Sequence, residues 1–409
     1  MPLDRLHEAL DVHLAELEEK GTLKGAEDVI VDVVPPRDGR GPRYRLEGQG
    51  DREFVKMNSN SYLGLALHPE VIAAEEEVSR GFGTGPGAVR FISGTYRQHV
   101  ELEERLARFH GREAAMAFSS AYATVMGLLP PLITGETVVI SDELNHNCII
   151  NAMRLARPAA KRIYHHNDMK ELEAALTQAV GARRAIVVTD GIFSMRGDHA
   201  PLATVMDLAR RYDAEFPENV LVVVDDSHGV GAFGETGRGT EEYCGARADL
   251  VVATLGKALG VNGGYVVGSQ TVVRFLRETS PFYVYSNPIT PAEAAAAGKA
   301  LEILDGERGR DLLAHLRAMT KRFERGLVDL GYETIPGDHP VTPLMVRDTG
   351  KTARLVAHLK QNGVLATGLK YPVVPRGDET IRFQVTADLT EADVDQVLSV
   401  LEEWPGRTG

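Results

Sequence analysis

Along the middle of the chain, short apolar runs alternate with longer stretches whose apolar positions recur at helical spacing. The runs fall at Ala114 to Phe118, Thr137 to Ser141, Lys161 to Tyr164, Arg184 to Thr189 and Val220 to Asp225. Between them the helical period extends to Leu132, to Arg157, to Val180, and from about Pro201 to Tyr212. Short apolar runs of this kind suit strands buried on both faces. Their alternation with helices predicts an α/β fold, a mostly parallel central sheet flanked by helices. Upstream, Leu3, Leu6, Leu10, Leu14 and Leu17 mark an amphipathic N-terminal helix whose stripe has to pack on something, a partner subunit being the usual answer. Residues 34–52 are rich in Pro, Gly, Arg and Asp and predict a loop with a short hairpin, followed by a strand at Phe54 to Met57. A glycine-rich loop, Gly81 to Phe91, leads to a helix marked by Leu102, Leu106 and Phe109. After Gly268 the alternation stops. A helical region from Pro291, a helix over 312–330, a strand near Met345 and helices at 353–361 and 391–403 predict a smaller α+β domain. The division expected is 1–60 for the first helix and arm, 61–290 for a large domain and 291–409 for a small C-terminal one.

Composition narrows the function without naming it. The chain of 409 residues carries a net charge of −13 and no block of Lys and Arg, which argues against nucleic acid as partner. Its two cysteines, Cys148 and Cys244, lack C-x-x-C spacing, so neither a disulfide framework nor a zinc site is suggested. No apolar run approaches the ~20 residues that span a bilayer, and a cytoplasmic protein without membrane insertion is expected.

Chemistry concentrates in the stretch Val220 to Gly268. An apolar strand ends there at Asp225, and a second strand, Leu250 to Ala253, delivers Thr254 and Lys257 to the same rim. Ligands of parallel sheets gather beyond such carboxyl ends. A cofactor needing both an acid and an amine is pyridoxal phosphate, whose aldehyde takes a lysine as a Schiff base and whose ring nitrogen takes an aspartate. His146, Asp190 and Ser194 also follow strand ends and so share the rim. Gly229-Val-Gly-Ala-Phe-Gly234 matches a dinucleotide fingerprint, but Asp225 to His228 separate it from the strand and Glu235 to Gly239 open no helix. It is expected to be a glycine-rich loop behind the cofactor. His165 and His166 precede Asn167-Asp168 at an expected helix start and lack further ligands, so no metal site is predicted.

With these residues located, the chain resembles the α-oxoamine synthases among the fold-type-I pyridoxal phosphate transferases. The segments Ser141-Asp-Glu-Leu-Asn-His146, Thr189-Asp-Gly-Ile-Phe-Ser-Met195, Asp225-Asp-Ser-His228, Thr254-Leu-Gly-Lys-Ala-Leu-Gly260 and Tyr285-Ser-Asn287 carry the resemblance. Tyr371 to Gly377, Ile381-Arg382 and Ala88 to Phe91 are similar to the glycine C-acetyltransferase branch. Two segments depart from it. Gly260 to Gly264 is one residue short, and Val385 to Leu389 lacks the histidine usual there. The resemblance implies that Lys257 holds the cofactor covalently, Asp225 pairs with its ring nitrogen, His228 bonds the ring oxygen and His146 stacks on the ring. Lys257, His146 and His228 are thus the expected catalytic residues. Ser194 would lie beside the ring, with the phosphate on the N–H groups of Ala121 and Tyr122, Thr254 and the second subunit's Ser286. Arg382 would clamp the amino-acid carboxylate, Asn60 would lie near it, and Val89 and Phe91 would face the acyl group. The implied reaction joins a small amino acid, glycine favoured, to a short acyl-CoA in a homodimer with shared active sites, releasing CoA and in some members CO2. A longer acyl donor, as in 8-amino-7-oxononanoate synthase or serine palmitoyltransferase, or an aminotransferase or lyase reaction on the same fold, are the alternatives.

Overall fold

The computed structural model describes all residues except 1, 2, 21, 24, 372 and 407–409. Strands β1 (Ile30–Val34) and β2 (Arg43–Leu46) form an antiparallel hairpin, followed by β3 (Val55–Lys56). The central sheet then takes β4 (Ala114–Phe118), β5 (Thr137–Asp142), β6 (Ala160–Tyr164), β7 (Arg184–Asp190), β8 (Val220–Asp225), β9 (Leu250–Thr254) and β10 (Gly264–Gly268). Its spatial order is β4-β10-β9-β8-β7-β5-β6. Pairings from β6 through β9 are parallel, and β10 runs antiparallel to both neighbours. The expected mostly parallel sheet flanked by helices is the one observed.

Alternate residues of one strand feed two different cores. Ala185 and Val187 of β7 pack with Val222 and Val224 on one face, while Ile186 and Val188 pack with Val223 and Val252 on the other. This is why the runs read as continuous rather than alternating, and each fully buried valine contributes roughly 1.5–3 kcal/mol. At the edge, β6 shows the alternation of a half-exposed strand.

The alternation of the sequence gives no sign of β10. Its five residues, Gly-Tyr-Val-Val-Gly, are bounded by glycines whose role is steric. A Cβ on Gly264 would lie 2.2 Å from Ala121 N, so only glycine lets the strand pass under the start of helix Ala121–Leu132. The loop after β8 has a similar cause. Asp226 is fully buried, and its carboxylate accepts from Thr240 N and Oγ1, both at 2.7 Å. A Cβ on Gly191, Gly229 or Gly239 would come within 2.0–2.2 Å of that carboxylate. Of the three glycines that mimic a dinucleotide fingerprint, Gly229 thus packs on the buried acid, while Gly231 meets Ala258 and Gly234 meets Glu242. Glu235 to Gly239 are not helical, as expected, and a short helix, Thr240–Cys244, begins only after them.

Past the large sheet, β11 (Val341–Met345), β14 (Thr380–Gln384) and β13 (Thr367–Leu369) form a three-stranded antiparallel sheet in that order. Helices Glu307–Asp329, Thr349–Gln361 and Glu391–Glu402 accompany it. Strand β12 (Val364–Leu365) pairs in parallel with β3. Through that pairing the loop after β3, which carries Asn60, reaches the side chains of β14. The N-terminal helix Asp4–Glu19 has no buried residue, and Leu3, Leu6, Leu10 and Leu14 are each 50–52% exposed. Among the described residues no helix is long and apolar enough to cross a membrane.

Candidate active site

Loops after β5, β7, β8 and β9 converge on one cavity of about 240 Å3 at the carboxyl ends of the strands. It is lined by Asp225 and His228 from β8, Thr254 and Lys257 from β9, Asp190 and Ser194 from β7, and His146 and Cys148 from β5. Ser120, Ala121 and Tyr122 close it at a helix start.

Asp225 ends β8 in register with Asp190 on β7. Its carboxylate accepts from Ser227 N at 3.1 Å and from the Cys148 thiol at 3.7 Å. Asp190 accepts from His146 N at 3.3 Å. Burial, with the Asp225 charge beside it, pushes the Asp190 carboxyl well above the usual range. Lys257 sits in a tight loop closed by Gly260 N to Lys257 O and Val261 N to Leu255 O, both 3.0 Å. Burial brings its amine down to about 8 against the opposing pull of Asp225. Thr254 Oγ1 donates to Gly263 O and accepts from Gly256 N, which fixes that loop.

His146 caps helix Asn147–Ala156, its Nδ1 accepting from Cys148 N at 3.3 Å and lying 2.9 Å from Cys148 Sγ. His228 is buried, with Nδ1 2.7 Å from Tyr62 Oη, and burial together with the Lys257 and Arg382 charges keeps it neutral. His339 Nε2 donates to the His228 carbonyl at 2.9 Å and holds that residue from behind.

These residues fit pyridoxal phosphate on grounds internal to the site. An acid and a lysine of lowered pKa face one cavity. The buried Ser227 Oγ has no partner among the described residues. Ala121 and Tyr122 stand at a helix start, where N–H groups lack intrahelical acceptors and the dipole favours an anion. Ser120 Oγ takes Ala123 N as the cap.

Five expected site residues lie outside this lining. Asn60 and Arg382 stand behind His228, linked through Tyr62. Asn60 Oδ1 accepts from Gln384 Nε2 at 2.7 Å and lies 3.3 Å from both Arg382 Nη2 and Tyr62 Oη. Arg382 Nε is buried without a partner among the described residues. Val89 and Phe91 flank Arg90, whose guanidinium is buried against both oxygens of Glu103 at 3.1 Å. That anchor leaves Phe91 64% exposed, with Ile92 at 65%. Ser286 follows Tyr285, which is 81% exposed. Of the segment Tyr371 to Gly377, residue 372 lies outside the described residues. Tyr62, Cys148 and Ser227 escaped the sequence reading. Only Cys148 carried a signal, as a thiol two residues after a strand-end histidine.

His166 stands just before the helix capped by Asp168, as expected, and also bridges two carboxylates. Its Nδ1 lies 3.2 Å from Asp142 Oδ1 and its Nε2 3.1 Å from Asp198 Oδ2. It thereby ties the loop that carries His146 to the loop that carries Ser194.

The family model for aminotransferase class I and II matches residues 52–401. An 8-amino-7-oxononanoate synthase from Exiguobacterium sibiricum is 38% identical over 97% of each chain. The 2-amino-3-ketobutyrate coenzyme A ligase of Escherichia coli is 42% identical over 84% of this chain and 85% of its own. A serine palmitoyltransferase solved with pyridoxal phosphate superposes with a TM-score of 0.87 at 25% identity, covering 98% of this chain and 96% of that one. The site thus lies on the same scaffold as theirs. The chain belongs to the aminotransferase class I and II family and, within it, to the α-oxoamine synthases, which are pyridoxal phosphate-dependent acyltransferases.

Proposed function

We propose that this enzyme condenses a small amino acid, glycine favoured, with a short uncharged acyl-CoA and releases CoA. The observation that carries the reading is the meeting of Lys257, Asp225, His146 and His228 in one cavity, backed by an arginine with an unpartnered buried Nε. Bound pyridoxal phosphate supplies an electron sink for negative charge at the amino-acid Cα. Asp225 pairs with the ring nitrogen and keeps it protonated. Arg382 receives the substrate carboxylate, for which a planar guanidinium suits better than an ammonium. Lys257 Nζ would hold the cofactor and, as a free amine, would take the Cα proton; its lowered pKa leaves much of it neutral at mildly alkaline pH. His228, held neutral, donates toward the cofactor, and His146 covers its face.

The acyl side of the reading rests on Val89 and Phe91. Both are apolar, and burying a carboxylate against them without a partner would cost several kcal/mol. The exposure of Phe91 in the single chain supports a homodimer in which each subunit completes the other's site. Assays with acetyl-, propionyl-, succinyl- and palmitoyl-CoA, each with glycine, alanine and serine, test it. Acetyl-CoA with glycine should lead, with propionyl-CoA close behind because one methylene changes selectivity by only ~1–3 kcal/mol. Succinyl-CoA as the best donor would overturn the pocket argument.

One observation favours a longer uncharged donor as a second reading. A cavity of about 270 Å3 shares Ser194 with the cofactor site and is walled by Leu144, Phe193, Met195, Met345 and Val373. Palmitoyl-CoA leading the same panel would select that reading.

A further inference from the structure

Between the small sheet and the cavity runs a chain of hydrogen bonds built on one phenol. Tyr62 is fully buried on the loop after β3, and its Oη lies 2.7 Å from His228 Nδ1 and 3.3 Å from Asn60 Oδ1. A phenol has one proton and can serve only one of these acceptors at a time. Asn60 Oδ1 already accepts from Gln384 Nε2 at 2.7 Å and from Arg382 Nη2 at 3.3 Å. A carbonyl oxygen has two lone pairs, so with both occupied the phenolic proton belongs to His228 Nδ1. His228 is neutral and its Nδ1 is the acceptor, so its own proton is on Nε2. Accepting a bond at one ring nitrogen polarises the imidazole and strengthens the other nitrogen as a donor.

Arg382 is the loose member of this chain. Its bond to Asn60 is long, its Nε has no partner among the described residues, and burial lowers its pKa, so an anion in reach would draw it. Its departure would leave one lone pair of Asn60 open beside the phenol.

We propose that Tyr62 is a positioning residue that carries the state of Arg382 to His228: while Arg382 rests on Asn60 the phenol donates to His228 Nδ1, and when a substrate carboxylate takes Arg382 the phenol turns to Asn60 and His228 Nε2–H donates more weakly. No covalent bond changes, and one O–H rotates between two acceptors. The inference rests on the reading of Arg382 as carboxylate anchor and of His228 as a cofactor contact. Through it, occupancy of the amino-acid site would tune the cofactor before any chemistry begins.

Acetate, a carboxylate without an amine, separates the two ideas. With the pyridoxal phosphate-loaded enzyme and chloride as the ionic control, acetate should compete with glycine and shift the visible absorbance of the cofactor. Tyr62→Phe should bind acetate as the wild type does but show no shift. Asn60→Ala breaks the chain at its other end and should also lose the shift, which decides the matter if Tyr62→Phe fails to fold. Arg382→Lys should lose both binding and shift. A shift retained in Tyr62→Phe or Asn60→Ala, or wild-type competition without any shift, overturns the relay alone. Acetate that does not compete with glycine overturns the Arg382 reading and the relay with it.

Discussion

Lys257 is set by two opposing neighbours: burial favours the neutral amine and Asp225 favours the charged one, with burial prevailing at a pKa of about 8. Attack on the cofactor aldehyde needs the neutral form. Loading of cofactor-free protein with pyridoxal phosphate, followed by absorbance, should therefore accelerate as pH rises through about 8 and level off above it. A rate that is flat from pH 6 to 10 would contradict the assignment. Asp225→Asn keeps the shape and removes the charge. It should cost turnover at least about 100-fold, the low end of what positioned proton-handling groups contribute, while Lys257 still holds the cofactor. Oxoamine formation at near the wild-type rate would rule this role out. Asp225 and Lys257 were legible in the sequence because a strand-end acid and a lysine among glycines are local patterns. Tyr62 was not, since its partner His228 is 166 positions away and a tyrosine before Leu-Gly reads as core.

At the level of elements, the loops after β5 and β7 are fastened by His166. Burial disfavours its charge, but hydrogen bonds and charges from Asp142 and Asp198 outweigh it and raise the pKa to about 9. Glu143 accepts from the backbone N–H of His166, and Arg196 shares Asp198. Because the folded pKa lies above the unfolded value of 6.5, the contribution to stability is complete below about 6.5 and is lost as pH rises through about 9. His166→Asn should cost about 1.5–3 kcal/mol at neutral pH, as expected for hydrogen bonds to a charged group, and the gap from wild type should close toward pH 10. Urea melts at pH 6.5, 8 and 10 would show this, and a gap that widens with pH would exclude the charged clamp. The histidine pair was visible in the sequence, but both of its carboxylate partners come from other loops. Strand β10 was hidden for a related reason, since three residues between two glycines carry no period by which to recognise a strand.

For the whole molecule, the exposed leucines of the first helix and the exposed Phe91, Ile92 and Tyr285 are more apolar surface than scattered single residues account for. A homodimer is expected by light scattering at assay concentrations, and Leu10→Glu should weaken it and lower activity in parallel. A fully active monomer would refute shared sites. The alternating strands and helices made the fold class readable from the chain, whereas pairing across the sheet depends on order in space. The reversed strand β10 bears on how the chain reaches this state. Met116 of β4 pairs with Val266 of β10, so the first strand of the large sheet to be synthesised is the one whose partner arrives last, after five other strands. Until then β4 presents an open apolar edge while the rest of the sheet assembles through slow, non-local pairings. Refolding from denaturant should accordingly be slow and limited by aggregation rather than by stability. On the ribosome, the nascent chain would depend on binding partners that shield that edge until residue 268 has emerged.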